Sequence, residues 1–148
     1  MSRVAFIGIG SYQYEDQLGW LVIDELNKKR SRFGDIVLFK SKGNGLDWID
    51  VVIGAEQVYF IDAVVSNEEF GFMHIFSIDS DFDKKKSVLG KTSHSISFID
   101  SVMIAHNIGV LKLPVYFVGV EIGGANKNNE IPIELMVKDI ANVIELRV

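Results

Sequence analysis

The sequence predicts an α/β fold: a three-layer α/β/α sandwich with a mostly parallel, roughly five-stranded sheet in the middle. Short apolar runs bounded by glycine or proline, which are typical of buried strands, alternate along the chain with segments that repeat apolar residues at helical spacing. Hydrophobic residues make up 48% of the 148 residues, which suits a well-buried sheet. We therefore expect a single domain spanning residues 1–148.

Five segments have the character of strands, and four have the character of helices. The predicted strands are residues 4–9, 35–39, 57–65, 71–78 and 115–120. The third is almost continuously apolar and should be central, whereas the fourth alternates enough to be an antiparallel edge strand. The predicted helices are residues 17–29, 46–53, 96–107 and 132–146, the last opened by a proline in a position that suits it. Residues 79–95 form a long polar connection, a kind of segment that is often functional.

Composition removes several classes of function. The net charge of −5 argues against nucleic-acid binding, because no basic face is available to replace phosphate counterions. The absence of cysteine excludes a thiol nucleophile, thiolate zinc sites and disulfides. No apolar run approaches the roughly 20 residues that span a bilayer, and the amino terminus lacks the layout of a signal peptide. We therefore expect a cytoplasmic protein that binds neither nucleic acid nor a membrane.

The most informative stretch follows the first strand. It contains a turn at Gly8-Ile9-Gly10 and then two adjacent acids, Glu15 and Asp16. Open α/β sheets bind their ligands at the carboxyl ends of their strands, so two acids here could bind a metal or transfer protons. The alternative interpretation is that they offset the dipole of the helix that follows.

Three familiar sites do not fit this stretch. A dinucleotide-binding loop needs a third glycine at position 13, which is Gln13, and an acid after the second strand, where the chain has Phe39 and Lys40. A phosphate-receiver site needs an acid pair directly at the end of the first strand and a lysine closing the last strand, which instead ends near Glu121. No serine stands in a nucleophile-elbow motif, so a serine hydrolase is unsupported.

Two further residues are candidates for chemistry. His94 directly precedes a predicted helix, where it could serve as a metal ligand or proton carrier or simply as a residue of the helix cap. Asp62 interrupts the most hydrophobic strand, so it must be hydrogen-bonded or lie at the strand's open end. It is therefore either a site residue or a structural acceptor for loop amides. The other two histidines, His74 and His106, are predicted to be structural.

Taken together, these pieces resemble the hydrogenase maturation endopeptidases. The opening motif of that family runs, in type, Gly-x-Gly-Asn, four residues, and Asp-Asp/Glu-Gly-x-Gly. The corresponding residues here are Gly8-Ile9-Gly10-Ser11 and the segment from Glu15 to Trp20. The resemblance extends to the central strand with its Asp62-Ala63, to the Ser93-His94 pair and to the strand around residues 115–121, so it covers essentially the whole chain.

The resemblance implies an activity. Such enzymes remove a carboxy-terminal peptide from the large subunit of a nickel-iron hydrogenase after nickel insertion, and the nickel in the substrate serves as the recognition element. It implies that Asp16 and His94 contact the nickel, that Asp16 and Glu15 are catalytic, and that Asp62 is a supporting residue. The implied partner is the large-subunit precursor, and the implied cofactor is only the nickel that this substrate supplies, with no organic cofactor.

The chain departs from the family pattern at several positions. Ser11 replaces the usual asparagine, the segment leading to the acid pair is one residue short, and Gln17 replaces a usual glycine. An acid expected after the second strand falls near Lys40, and a protonated lysine is a poor metal ligand. Asp47 is a possible substitute, predicted to lie just inside the next helix. These departures keep two alternatives open: a non-catalytic protein that binds a maturing metalloprotein, and an α/β hydrolase with an unrelated substrate.

Overall fold

The computed structural model describes residues 3–11, 17–43, 46–66, 68–78, 95–123 and 133–148. Its sheet has five strands, and their order across the sheet is β2-β1-β3-β5-β4. In chain order the strands are β1 (Val4–Ile9), β2 (Ile36–Ser41), β3 (Gln57–Val64), β4 (Met73–Ser77) and β5 (Val115–Glu121). Neighbouring strands pair in parallel except β4, which pairs antiparallel with β5 at one edge. The predicted central strand and the predicted antiparallel edge strand are both confirmed.

Helices cover both faces of this sheet, as the sequence predicts. They are α1 (Leu18–Lys28), α2 (Ile49–Val52), α3 (Ser95–Asn107) and α4 (Ile133–Arg147). Apolar residues of α1 and α4 pack with one set of alternating strand residues, and those of α2 and α3 pack with the other set. We name these two sides of the sheet the α1 face and the α3 face. No helix in the described ranges is long and apolar enough to cross a bilayer.

Two differences from the predicted elements bear on the candidate site. β2 continues through Lys40 and Ser41, which were expected to begin a loop, because both residues pair with the end of β1. The helix predicted over residues 46–53 is reduced to a single turn, α2. The residues before it form tight turns through bonds such as Ile49 N–H to the Leu46 carbonyl, at 3.0 Å. Gly54, with a φ of 83°, then turns the chain toward β3. Asp47 consequently lies in the turn before α2 rather than inside a helix.

Two glycines of the opening motif bring α1 against the sheet. A Cβ atom added to Gly8 would lie 2.3 Å from the Gly19 carbonyl oxygen, and one added to Gly19 would lie 2.2 Å from the Ile9 carbonyl oxygen. Neither position has room for a side chain, because the obstacle is backbone on both sides. Gly8 and Ile9 belong to β1, which confirms the strand predicted over residues 4–9 and shows that the turn predicted from Gly8 does not begin before Gly10. The glycine pair serves the packing of α1 onto β1.

Candidate active site at the carboxyl edge of the sheet

Buried polar side chains are concentrated at one edge of the sheet. We use the term carboxyl edge for the edge where β1, β2, β3 and β5 end. Strand alternation places four of the five buried polar or charged side chains of the described segments on the α3 face near this edge: Ser41, Asp62, His74 and Glu121. Because a buried polar group is costly unless it has a partner, such a concentration indicates either a hydrogen-bond network or a site.

One row across the sheet contains three of these residues: Ser41, Asp62 and His74. Asp62 of β3 is in register with Gly119 of β5, and Gly119 is in register with His74 of β4. On the other side, Ser41 of β2 is in register with Ile9 of β1, and Gly8 of β1 is in register with Ile61, the residue before Asp62. Asp62 therefore occupies the middle of the row, on the central strand.

Asp62 is almost completely buried, with 1% of its surface exposed. Its Oδ1 accepts a hydrogen bond of 2.8 Å from the backbone N–H of Ala63. Asp62 is thus hydrogen-bonded and lies near the open end of the strand, as expected, although the amide it accepts belongs to β3 rather than to a loop. Its role in a site stays a prediction.

Ser41 connects the ends of β1 and β2 to a nearby acid. Its carbonyl oxygen accepts the N–H of Gly10 and the indole N–H of Trp20, each at 2.9 Å. Its hydroxyl donates to Asp47 Oδ1 at 2.7 Å and accepts the N–H of Gly43 at 3.0 Å. Asp47 is exposed, so Ser41 holds a solvent-accessible carboxylate beside the carboxyl end of β2.

Lys40 lies on the opposite side of the sheet from Asp62. Strand alternation directs it to the α1 face, where its Nζ forms an ion pair of 2.7 Å with Asp24 of α1. Both side chains are about half exposed, at 42% and 52%. The lysine that replaces the expected acid therefore adds no positive charge to the α3 face.

A second polar network joins β3, β4 and β5. The two carboxylate oxygens of Glu121 accept the backbone N–H of Ser66, at 2.8 and 3.1 Å, and one of them accepts the N–H of Gly123, at 3.0 Å. The Ser66 hydroxyl donates to the same carboxylate. Its oxygen lies 3.3 Å from His74 Nε2, which can therefore act as a donor to it. The structural role predicted for His74 fits this arrangement.

The three residues that the sequence ranks highest lie outside the described ranges. Glu15 and Asp16 fall between Ser11 and Gln17, and His94 directly precedes α3. Within the described ranges, no three acidic or histidine side chains are grouped so that they could hold a metal ion. Contact of Asp16 and His94 with nickel remains a prediction.

Sequence reasoning missed the roles of Ser41, Ser66 and Glu121. An acid at the end of an apolar strand is a usable signal for Glu121, and the same signal identified Asp62. The two serines give no comparable signal, because a serine at a strand end is common. The partner of Ser66, Glu121, also lies 55 residues away in sequence.

Comparisons with solved structures identify the fold. The structure of the [NiFe] hydrogenase maturation protease HybD from Thermococcus kodakarensis matches at a TM-score of 0.75, with 16% identity and 98% of each chain covered. The endopeptidase HycI from Escherichia coli matches at 0.66, with 18% identity over 98% of this chain and 90% of that one. The N-acetylmuramoyl-L-alanine amidase from Clostridium difficile 630 matches at 0.55, with 14% identity over 98% and 94%.

Sequence comparison adds nothing to this identification, since no protein-family model and no curated protein matches the chain. The likeness in structure nevertheless extends over almost the full length of both chains in each of these pairs. The chain therefore has the fold of the hydrogenase maturation proteases, as the sequence resemblance predicts.

Proposed function

We propose that this protein is an endopeptidase that removes a carboxy-terminal peptide from the large-subunit precursor of a nickel-iron hydrogenase after nickel insertion. The observation that carries the proposal is the likeness of the fold to a hydrogenase maturation protease over 98% of both chains. The buried acid on the central strand supports it, because it lies where sheets of this type bind ligands. We expect the protein to act in the cytoplasm.

In this proposal the nickel belongs to the substrate and is the element by which the precursor is recognised. Asp16 and His94 contact it, and Asp62 supports them from the middle of the sheet. Carboxylate oxygens and an imidazole nitrogen form a donor set that suits nickel. Asp47, which Ser41 holds near the end of β2, supplies an additional acid in place of the one missing at Lys40.

The cleavage itself requires water to add to the scissile carbonyl carbon and a proton to reach the leaving amide nitrogen. Nickel bound in the substrate can polarise the carbonyl or activate the water. Glu15 and Asp16 are the catalytic acids of the proposal: Asp16 contacts the nickel, and Glu15 is the general base that accepts the proton of the attacking water and returns it to the leaving nitrogen. Asp62 is buried, so bulk water does not screen its carboxylate. The attraction between this carboxylate and a cation is therefore stronger than at the surface.

A processing assay tests this proposal. Nickel-loaded precursor is incubated with the wild-type protein, with Asp16→Asn and with His94→Ala, and the shortened large subunit is followed by gel shift. We expect wild type to produce it and both variants to lose at least about 100-fold in rate. Equal cleavage by wild type and His94→Ala would remove His94 from the site.

A non-catalytic protein that binds a maturing metalloprotein is the second candidate. The observation in its favour is Lys40, which stands where an acid is expected and pairs with Asp24 instead. If this candidate is right, the protein binds the nickel-loaded precursor with wild-type affinity in a pull-down but leaves its mass unchanged. The amidase of the same fold represents a third class, a hydrolase of another substrate.

A further inference from the structure

The network around Glu121 does more than join three strands: it fixes an exposed aromatic ring beside the candidate site. Glu121 is completely buried, and both its side chain and its backbone are engaged. Its backbone N–H donates to the Phe72 carbonyl at 2.9 Å, and its own carbonyl accepts the N–H of Gly71 at 2.8 Å. Its backbone thereby holds the chain before β4. Its carboxylate holds Ser66, whose hydroxyl oxygen lies 3.3 Å from Nε2 of His74, the ring against which Phe72 packs.

Phe72 is exposed even though its backbone is fixed. Some 46% of its surface is open to solvent, and its ring lies 4.8 Å from the ring of His74, edge to face. His74 is buried on the α3 face, in the same row as Asp62, so the Phe72 ring lies on that face at the carboxyl edge. Gly71, with a φ of 87°, allows the sharp entry into β4 that brings the ring there.

A second exposed apolar side chain lies at the carboxyl edge. Val65, which follows β3, is 44% exposed and precedes Ser66, the residue bound by the Glu121 carboxylate. A Cβ atom added to Gly123 would lie 3.0 Å from Cγ1 of Val65, so the Val65 side chain also packs against the chain that leaves β5. We call Val65 and Phe72 the apolar rim.

We propose that the apolar rim, through Phe72 above all, contacts the precursor chain beside the scissile bond, and that Glu121 is the positioning residue that holds the rim in place. The proposal rests on the function proposed above. The occupant is the substrate segment next to the cleavage site, because the Phe72 ring shares its face and its edge of the sheet with Asp62. An aromatic ring on a rigid backbone gives contact area at little cost in conformational entropy.

The proposal predicts a separation of KM from kcat. A contact made equally in the bound substrate and in the transition state affects KM and leaves kcat unchanged. For Phe72→Ala we expect KM for the nickel-loaded precursor to rise about tenfold, with kcat within about twofold of wild type. Phe72→Leu keeps an apolar contact and should recover most of the affinity. Ile53→Ala, at an apolar residue that is 71% exposed and lies before the amino end of β3, is the matched control and should change neither constant.

Glu121→Gln tests the positioning role. Both oxygens of the Glu121 carboxylate accept N–H groups, from Ser66 and from Gly123. Glutamine has an NH2 group in place of one of these oxygens, and this group cannot accept a hydrogen bond, so at least one bond is lost. We expect KM to rise about fivefold without a change in kcat, and Ser66→Ala to show a smaller rise in the same direction. Thermal unfolding measured by circular dichroism identifies the temperature range in which each variant stays folded.

The outcomes separate this proposal from the function on which it rests. If wild type cleaves the precursor and Phe72→Ala has wild-type KM, the apolar rim is overturned and the proposed function stands. If wild type does not cleave, the proposed function fails. Titration calorimetry with the same precursor then tests whether the apolar rim contacts it. Binding weakened at least about fivefold by Phe72→Ala supports it, whereas equal binding or none overturns it. Dimerisation of wild type that Phe72→Ala abolishes would also overturn it, because the occupant would then be a second copy.

Discussion

The two faces of the sheet use the carboxyl edge differently. On the α1 face, Gly8 and Gly19 let the start of α1 touch the backbone of β1, and the charged pair Lys40–Asp24 remains near solvent. On the α3 face, the same edge holds four buried polar side chains, whose described partners are backbone amides and the side chains of Asp47 and Ser66. The α1 face is closed by packing, and the α3 face keeps groups that can act on a ligand.

This difference supports placing the proposed site on the α3 face. Burying a carboxylate costs free energy unless hydrogen bonds or an opposite charge compensate for it. The α1 face avoids this cost at its edge, whereas Asp62 and Glu121 incur it on the α3 face. For Glu121 the described hydrogen bonds compensate for the cost of burial, which supports a positioning role. For Asp62 we propose that the substrate's nickel adds to the compensation that its hydrogen bond provides.

The largest expected effect breaks the packing of the α1 face. Gly19→Ala should lower the free energy of unfolding by about 3 kcal/mol or more, because its Cβ would meet the Ile9 carbonyl oxygen and neither backbone can retreat. Urea unfolding measures this. The control is Gly119→Ala, whose Cβ would meet Val64 Cγ1 at 3.0 Å. Because a side chain can yield, we expect a loss of about 1 kcal/mol there. Equal losses for both variants would contradict the close approach of α1 to β1.

Next in size is the effect of removing the buried charge from the α3 face. Asp62→Asn keeps an oxygen that can accept the Ala63 N–H but removes the negative charge, so we expect cleavage of nickel-loaded precursor to fall about 10- to 100-fold. The free energy of unfolding should change by less than about 1 kcal/mol, since the shape is conserved. Asp24→Asn, on the α1 face, is the control and should cleave at the wild-type rate. Full activity in Asp62→Asn would show that this acid has only a structural role.

A smaller effect concerns stability alone. Trp48 is completely buried on the α3 face, 5.0 Å from the ring of Phe60, and within the described segments its indole N–H has no hydrogen-bond partner. Trp48→Phe removes an uncompensated donor as well as some apolar contact, so the two changes offset each other. We expect the free energy of unfolding to stay within about 1 kcal/mol of wild type. A loss above about 2 kcal/mol in urea unfolding would instead reveal an acceptor for this N–H.

The smallest expected effect is at Lys40. Lys40→Asp restores an acid at the position where one is expected, but on the α1 face, opposite Asp24. Repulsion between two exposed acids should cost about 0.5 kcal/mol, and the rate of precursor cleavage should stay within about twofold of wild type. A rate increase of tenfold or more would show that the acid at this position reaches the site.

Local patterns predicted most of the fold. Apolar runs and helical spacing located the five strands, α1, α3 and α4, and the near-continuous apolar run of residues 57–65 marked the central strand. The close approach of Gly8 to Gly19 and the bonds from Ser41 to Asp47 were not predictable, because each depends on where two separate segments meet. The length of α2 was also missed. Its apolar residues have helical spacing, but only Ile49–Val52 are helical, and the chain turns at Gly54.

The candidate site was predictable only in part. Asp62 was detectable because a carboxylate within an apolar strand is costly, and Lys40 because it replaces an acid that the family resemblance leads one to expect. Which face each side chain occupies depends on strand register, and this separates Asp62 from Lys40. The network from Glu121 to Ser66 links residues far apart in sequence, so no local pattern identifies it.

One measurement tests the central claim most directly: the intact mass of the large-subunit precursor after incubation with the wild-type protein, with and without nickel loaded. We expect the nickel-loaded precursor to lose a single carboxy-terminal peptide and the nickel-free precursor to keep its full mass. Cleavage of both forms at the same rate would contradict recognition through the substrate's nickel. Unchanged mass of both forms would contradict the endopeptidase itself.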